Sequence, residues 1–174
     1  MEFDFESNTG DLFFNYVFAS EEYNEFVHNT TIDGKEFNDV FGFFLDGKNI
    51  ALIPRTNIPV SIETVNGGGP VLGMDPSFPE FYNNNDPSEG GVLPFEYDGF
   101  TDVFIAHALG LTAGKHHIKL VIADTSDPLL DSAVFIQAGS FSATNAAVPE
   151  PCTFALLAGG LLLGNLVKRK LWTK

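Results

Sequence analysis

Acidic and amide side chains collect at the ends of predicted strands in three places in this 174-residue chain. The three groups are Glu21 with Glu22, Asn38 with Asp39, and Asp124 with Asp127 and Asp131. Hard cations such as Ca²⁺ take about six to eight oxygen ligands from carboxylates, amides and backbone carbonyls. Loops at one end of a β-sandwich converge, so acids that are distant in sequence can share a site. One interpretation is therefore a Ca²⁺ site built from Glu21, Glu22, Asp39, Asp124 and Asp131.

The other interpretation of these acids is structural. Asp and Asn side chains commonly bond their own backbone where a strand turns, and acids at strand ends are often simply solvated. No Asp-x-Asp-x-Asp-Gly loop is present, which excludes an EF-hand. Both interpretations stay open at the level of the sequence, and no other cofactor is indicated.

Catalytic motifs are missing from the chain. A carboxylate pair about 5 to 10 Å apart could hydrolyse a glycosidic bond, but the sequence selects no such pair. His116 and His117 are neighbours on a predicted strand and must point to opposite faces. There is no His-Glu-x-x-His and no Gly-x-Ser-x-Gly motif. We expect a non-enzymatic protein, with a secreted carbohydrate-active enzyme as the alternative.

A long polar stretch, residues 66–94, with the strand that follows it, carries aromatic side chains that could stack on sugar rings or pack beneath the loop. These are Phe78, Phe81, Tyr82 and Tyr97. Of the two, packing is the favoured interpretation.

Composition limits the class of partner. Residues 1–149 hold 22 Asp and Glu against 5 Lys and Arg. Phosphate binding needs the opposite sign, so nucleic acid is excluded as a partner. The only cysteine, Cys152, lies near the C-terminus, so the preceding domain has no disulfide.

Short alternating segments dominate the chain before residue 142. Strands are predicted at 2–6, 12–19, 40–45, 49–53, 60–65, 80–82, 95–97, 100–108, 116–123 and 133–141. Phe14, Tyr16 and Phe18 share one face of the second strand, the predicted core side. With no convincing amphipathic helix, the pattern predicts an all-β fold, an antiparallel β-sandwich of jelly-roll-like form.

The last 27 residues have three parts: a polar tetrad, an apolar run and a basic end. The tetrad is Val148, Pro149, Glu150 and Pro151. The run 152–167 is short for the roughly 20 residues of a membrane helix, yet its leucines surround the helix and leave no polar face. The predicted anchor comprises Phe154, Leu156, Leu157, Leu161, Leu162, Leu163, Val167 and the basic flank Lys168, Arg169 and Lys170.

This three-part order resembles the PEP-CTERM sorting signal of Gram-negative, biofilm-forming bacteria. The resemblance implies that the tail is held transiently in the inner membrane and processed by an exosortase near the Pro-Glu-Pro. It divides the chain into a domain at 1–141, a linker at 142–147 and a signal at 148–174, with the motif at 148–151, the helix at 152–167 and the basic tail at 168–174.

The preceding domain carries several matching stretches of its own: 17–23 (VFASEEY), 37–44 (FNDVFGFF), 49–54, 97–101, 118–123 and 131–135. In this order they resemble the choice-of-anchor L domain, a bacterial surface domain found ahead of differing C-terminal anchors. We expect the N-terminus to be truncated, because the chain begins MEFDFESNTG instead of with a signal peptide.

Together these features predict an exported protein of the cell envelope, the extracellular surface or the matrix of a Gram-negative bacterium. Its predicted partners are an exosortase, the inner membrane and extracellular polysaccharide, and its predicted role is adhesion or biofilm polymer binding.

Overall fold

The computed structural model describes residues 1–8, 10–28, 38–69, 74–123 and 130–145. They form nine strands and two single-turn 3-10 helices, Pro79–Phe81 and Pro87–Glu89. The strands are β1 (Glu2–Ser7), β2 (Gly10–Ser20), β3 (Val40–Leu45), β4 (Lys48–Asn49), β5 (Tyr82–Asn84), β6 (Gly99–Thr101), β7 (Phe104–Leu111), β8 (Gly114–Ala123) and β9 (Ser132–Ile136). The all-β prediction is confirmed. No helix among these residues is long and apolar enough to cross a membrane, and the predicted anchor at 152–167 lies outside them.

Two antiparallel sheets pack face to face. The first has the order β1-β8-β3-β4. The second has the order β5-β6-β2-β7, and outside this order β9 also pairs with β2. β2 is the centre of this sheet, because it pairs with β6, β7 and β9.

The core is aromatic and lies between the sheets. Phe14, Tyr16 and Phe18 alternate along β2 with at most 1% of each side chain exposed, as the period of two predicts. Phe14 meets Phe43 of β3 edge-on at 5.0 Å between ring centroids. Phe18 stacks on Phe41 at 4.9 Å. Such ring pairs hold the two sheets together.

Asp46 and Gly47, a dipeptide whose sequence predicts a two-residue hairpin, form the turn between β3 and β4, and both have the positive φ that such a turn needs. The returning strand is shorter than predicted. It ends at Asn49 instead of Ile53. The Asn49 side-chain oxygen accepts from the amides of Phe43 and Ala51 at 3.1 and 3.0 Å. These side-chain bonds replace backbone pairing at this point, and the strand ends.

The prediction of a strand at residues 60–65 is wrong. Only Ser61 bridges a strand, at Val40, and the segment then turns. The Thr64 hydroxyl accepts from the Ser61 amide at 2.8 Å, and the Thr64 amide donates to the Ser61 carbonyl at 3.2 Å. The turn at Ser61 and Thr64 therefore buries Val60 and Ile62 although the segment forms no strand.

Four further strand predictions differ from the structure. The strand predicted at 100–108 divides into β6 and β7, because the Thr101 hydroxyl accepts from the amide of Phe18 where the chain leaves the ladder. The strand predicted at 133–141 ends at Ile136, before a turn that contains Gly139 with φ of 73°. The segment 80–82 is mostly 3-10 helix, and 95–97 forms no strand.

Candidate functional site

A buried amide organises the end of the sandwich where β2 stops. Asn24 is 1% exposed and lies in the turn that follows β2. Its side-chain nitrogen donates to Glu89 Oε2 at 2.8 Å and to Asn84 Oδ1 at 3.1 Å. Its side-chain oxygen accepts from the Tyr82 hydroxyl. Three separate segments are therefore joined through one side chain.

Aromatic rings pack directly beneath this amide. Tyr23 contacts Tyr82 at 5.0 Å between centroids, and its hydroxyl donates to the Val65 carbonyl at 2.8 Å. Gly99 in β6 leaves room for both rings, because a Cβ there would lie 2.7 Å from each. Burial raises the pKa of the Tyr82 hydroxyl above its ordinary value, so it stays a protonated donor.

Carboxylates surround the same end of the molecule, and we call Glu21, Glu25, Asp86, Glu89 and Asp98 the acidic cluster. The pKa of Asp98 is raised to about 6, first by partial burial and then by repulsion from the other four carboxylates. A carboxyl with a pKa near neutrality can exchange a proton at physiological pH. Even so, several of these acids are already engaged as acceptors, Asp86 for the Ser88 amide at 2.6 Å and Glu89 for two asparagines.

The residues predicted to bind Ca²⁺ are brought together only in part. Glu21 and Asp131 meet, because the Asp131 amide donates to Glu21 Oε2 at 2.9 Å and the Glu21 amide donates to the Asp131 carbonyl at 3.0 Å. Glu22 and Asp39 are each 1% exposed. Asp124 lies outside the described residues. Within the part of the chain that is described, no three His, Cys, Asp or Glu side chains are arranged to hold a metal ion.

The histidines and loop aromatics behave as predicted. His116 is buried, with Nδ1 2.6 Å from Asp46 Oδ2 and Nε2 2.9 Å from the Thr112 carbonyl, and these bonds raise the pKa of His116. His117 points the other way, to Asp4 at 2.8 Å. Phe78, Phe81 and Tyr82 pack against the core, and Tyr97 packs on Phe95 and Phe135, so the packing interpretation is confirmed.

A second feature lies beside β7 of the second sheet. The outward residues of β7 and the segment 48–57 that follows β3 enclose a groove of about 740 Å³, which we call the β7 groove. Lys48, Arg55 and His107 line it together with apolar side chains such as Val103 and Leu109. None of the described residues that line it is Asp or Glu.

Sequence reasoning missed both features. The run of amides at residues 83–85 lies in the stretch that the sequence predicts as a polar loop, but nothing there indicates a junction with Asn24, 60 residues away from Asn84. The scarcity of basic residues could have drawn attention to Lys48 and Arg55. The sorting motif 148–151 and the anchor residues 154–170 lie outside the described residues, so their predicted roles stay predictions.

The described residues define an antiparallel β-sandwich with an excess of acidic residues and no cysteine. The choice-of-anchor L domain model matches residues 1–142. The chain therefore belongs to the choice-of-anchor L domain family, which indicates a protein of the cell surface or the extracellular space. Comparison with curated proteins and with solved structures finds no match.

Proposed function

We propose that the chain is an exported, non-enzymatic protein of the outer surface or extracellular matrix of a Gram-negative bacterium. In this proposal a β-sandwich with jelly-roll-like winding is delivered by the tail at 148–174, which an exosortase processes in the inner membrane. Adhesion, or binding of biofilm polymer, is the role of the delivered domain.

One observation carries this proposal. The family match ends at residue 142. The polar tetrad begins six residues later, and the apolar run and the basic end follow it. A surface domain followed directly by a segment with the pattern of a membrane signal is the arrangement that a sorted protein needs. The basic flank 168–170 has the sign expected for a cytoplasmic end.

The sorting step can be tested on a reporter. Residues 142–174 are fused to a reporter that is already exported to the periplasm, in a host that encodes an exosortase and in its exosortase deletion. We expect a shortened reporter in the surface or medium fraction of the first host only. The matched control replaces Pro149, Glu150 and Pro151 by Ala, which should leave the reporter full length in the inner membrane. Identical fractionation in both hosts would contradict exosortase sorting.

A secreted carbohydrate-active enzyme is the second candidate, and one observation favours it. Partial burial and the neighbouring carboxylates raise the pKa of Asp98 to about 6, in the direction that a general acid needs. A hydrolysis screen over a panel of glycans tests it. Turnover that is lost in Asp98→Asn would replace the binding role by an enzymatic one.

Calcium binding by Glu21, Glu22, Asp39, Asp124 and Asp131 stays a proposal of its own. Ligand that binds only the folded state raises its stability. The melting temperature in millimolar Ca²⁺ should then exceed that in chelator, and Asp131→Asn should reduce the difference. Superimposable melting curves would remove this proposal.

A further inference from the structure

We propose that the β7 groove binds an acidic polysaccharide, a polymer whose sugar rings carry carboxylates. This inference names the ligand class of the adhesion role and rests on that proposed function. The groove volume of about 740 Å³ lies within the ~300–1,000 Å³ of ordinary ligand pockets.

The shape of the groove suits a ring. Phe13 of β2 and His107 of β7 are register partners, and their rings are nearly parallel, 19° apart with centroids 6.2 Å from each other. Both line the groove, so the stacked pair places two ring side chains on one wall. Exposed Val103 and Leu109 continue this wall with apolar contact. The non-polar face of a sugar ring packs against such a surface as aromatic rings pack on one another.

The charge of the groove is opposite to that of the rest of the domain. Lys48 and Arg55 are two of only 5 basic residues in the first 149, which also hold 22 acids. Both cations are exposed, and neither forms an ion pair with a described residue. Lys115 differs, because it lies 2.6 Å from Asp4. The two groove cations are therefore available to an anionic ligand.

The position of Arg55 is fixed by its turn. The Thr56 amide and hydroxyl both donate to the Ile53 carbonyl, at 3.0 and 2.9 Å. The Ile53 amide donates to the Ile58 carbonyl at 2.9 Å, which closes the turn. The backbone of Arg55 has a φ of 64°, a left-handed conformation that residues other than glycine seldom adopt. The closed turn orders the backbone of Arg55 before a ligand binds, and its guanidinium can then bind a carboxylate with two parallel hydrogen bonds.

These features favour a polysaccharide over an acidic peptide. A peptide carboxylate would satisfy the cations but would leave the Phe13 and His107 rings on the groove wall without a sugar ring to pack against. The acidic surface repels any polyanion over long range, so selectivity must come from contacts inside the groove. At about 0.15 M salt, where screening acts beyond ~8 Å, these local contacts dominate.

The test uses the full 174-residue chain in a polyoxyethylene detergent, because a detergent with a sugar headgroup would compete for the site. Binding is measured by calorimetry at about 0.15 M salt with three probes: hexa-galacturonate, its fully methyl-esterified neutral form, and hexa-glutamate. We expect hexa-galacturonate to bind, and the ester and the peptide to bind at least about tenfold more weakly.

Variants locate the site. Lys48→Gln and Arg55→Gln together should weaken hexa-galacturonate binding by about tenfold or more. Lys119→Gln removes one positive charge, as each groove substitution does, at an exposed position of β8 outside the groove, and should change the affinity less than about twofold. Leu109→Ala removes an apolar wall contact without changing charge and should weaken binding. A melting curve of each variant checks that it is folded.

Four results would overturn the proposal. They are the absence of hexa-galacturonate binding, equal affinity for the ester, equal affinity for the peptide, and an equal loss in Lys119→Gln. The measurement on purified protein is independent of the reporter fractionation. The groove can therefore fail while sorting succeeds, and the reverse.

Discussion

The acidic cluster and the β7 groove are two polar regions of this sandwich, and they differ in how their polar atoms are used. Next to the cluster, the Asn24 amide bonds to Tyr82, Asn84 and the cluster residue Glu89, so these side chains provide one another's hydrogen-bond partners. In the groove, Lys48 and Arg55 face solvent without a described ion-pair partner. The region with most charge in the sequence is thus the more self-contained. Charge density alone does not locate a binding surface, since a buried group with its bonds made holds the fold together.

If this contrast is right, the largest effect on stability comes from the buried amide of Asn24 beside the acidic cluster. Asn24→Ala removes the partner of three side chains and should lower the free energy of unfolding by about 2–3 kcal/mol. Urea unfolding measures the change. Asn83→Ala is the matched control, because its single bond to Asp102, at 2.9 Å, is exposed and should be worth less than about 1 kcal/mol. Similar losses in both variants would contradict the central role of Asn24.

A smaller effect concerns the pH dependence of stability. The folded pKa of Asp98 is about 6, above the roughly 3.9 of an unfolded Asp. The folded state then binds more protons than the unfolded state between these values, so stability rises as the pH falls from 7 to 5. Asp98→Asn should be more stable than the wild type at pH 7 and should gain less on acidification.

The melting temperature at pH 7 and pH 5 measures this effect. His116, whose pKa is raised by Asp46, adds a slope of the same sign. For that reason the result lies in the difference between wild type and Asp98→Asn, not in the wild-type slope. An identical pH response in the two proteins would show that Asp98 titrates as an ordinary exposed carboxyl.

The smallest effects are expected in the groove. Lys48→Gln and Arg55→Gln should each change the free energy of unfolding by less than about 0.5 kcal/mol, because neither cation holds the fold together. Arg55→Gly should raise it by up to about 1 kcal/mol, since glycine adopts the positive φ without strain. Chemical denaturation of the three variants checks this. A loss above about 1 kcal/mol in either glutamine variant would show that the cation has a structural partner.

The core of the fold could be predicted because its signals are local. The period of two along β2 placed Phe14, Tyr16 and Phe18 on one face, and all three are buried. Asp46–Gly47 predicted a two-residue hairpin because its backbone demands positive φ. The strand predicted at residues 60–65 failed because the same spacing of apolar residues is also buried by a turn that Ser61 and Thr64 close.

By itself the sequence determined the all-β class, the inward face of the long strands, the acid excess and the pattern of the tail, since alternation, composition and turn residues act within a few positions of each other. The tertiary structure alone joins Asn24 to Asn84 and Glu89, partly buries Asp98 among the carboxylates that further raise its pKa, and places Arg55 and His107 along one groove. Most of these residues lie tens of positions apart, and the packing of the two sheets, not a neighbour along the chain, selects their surroundings.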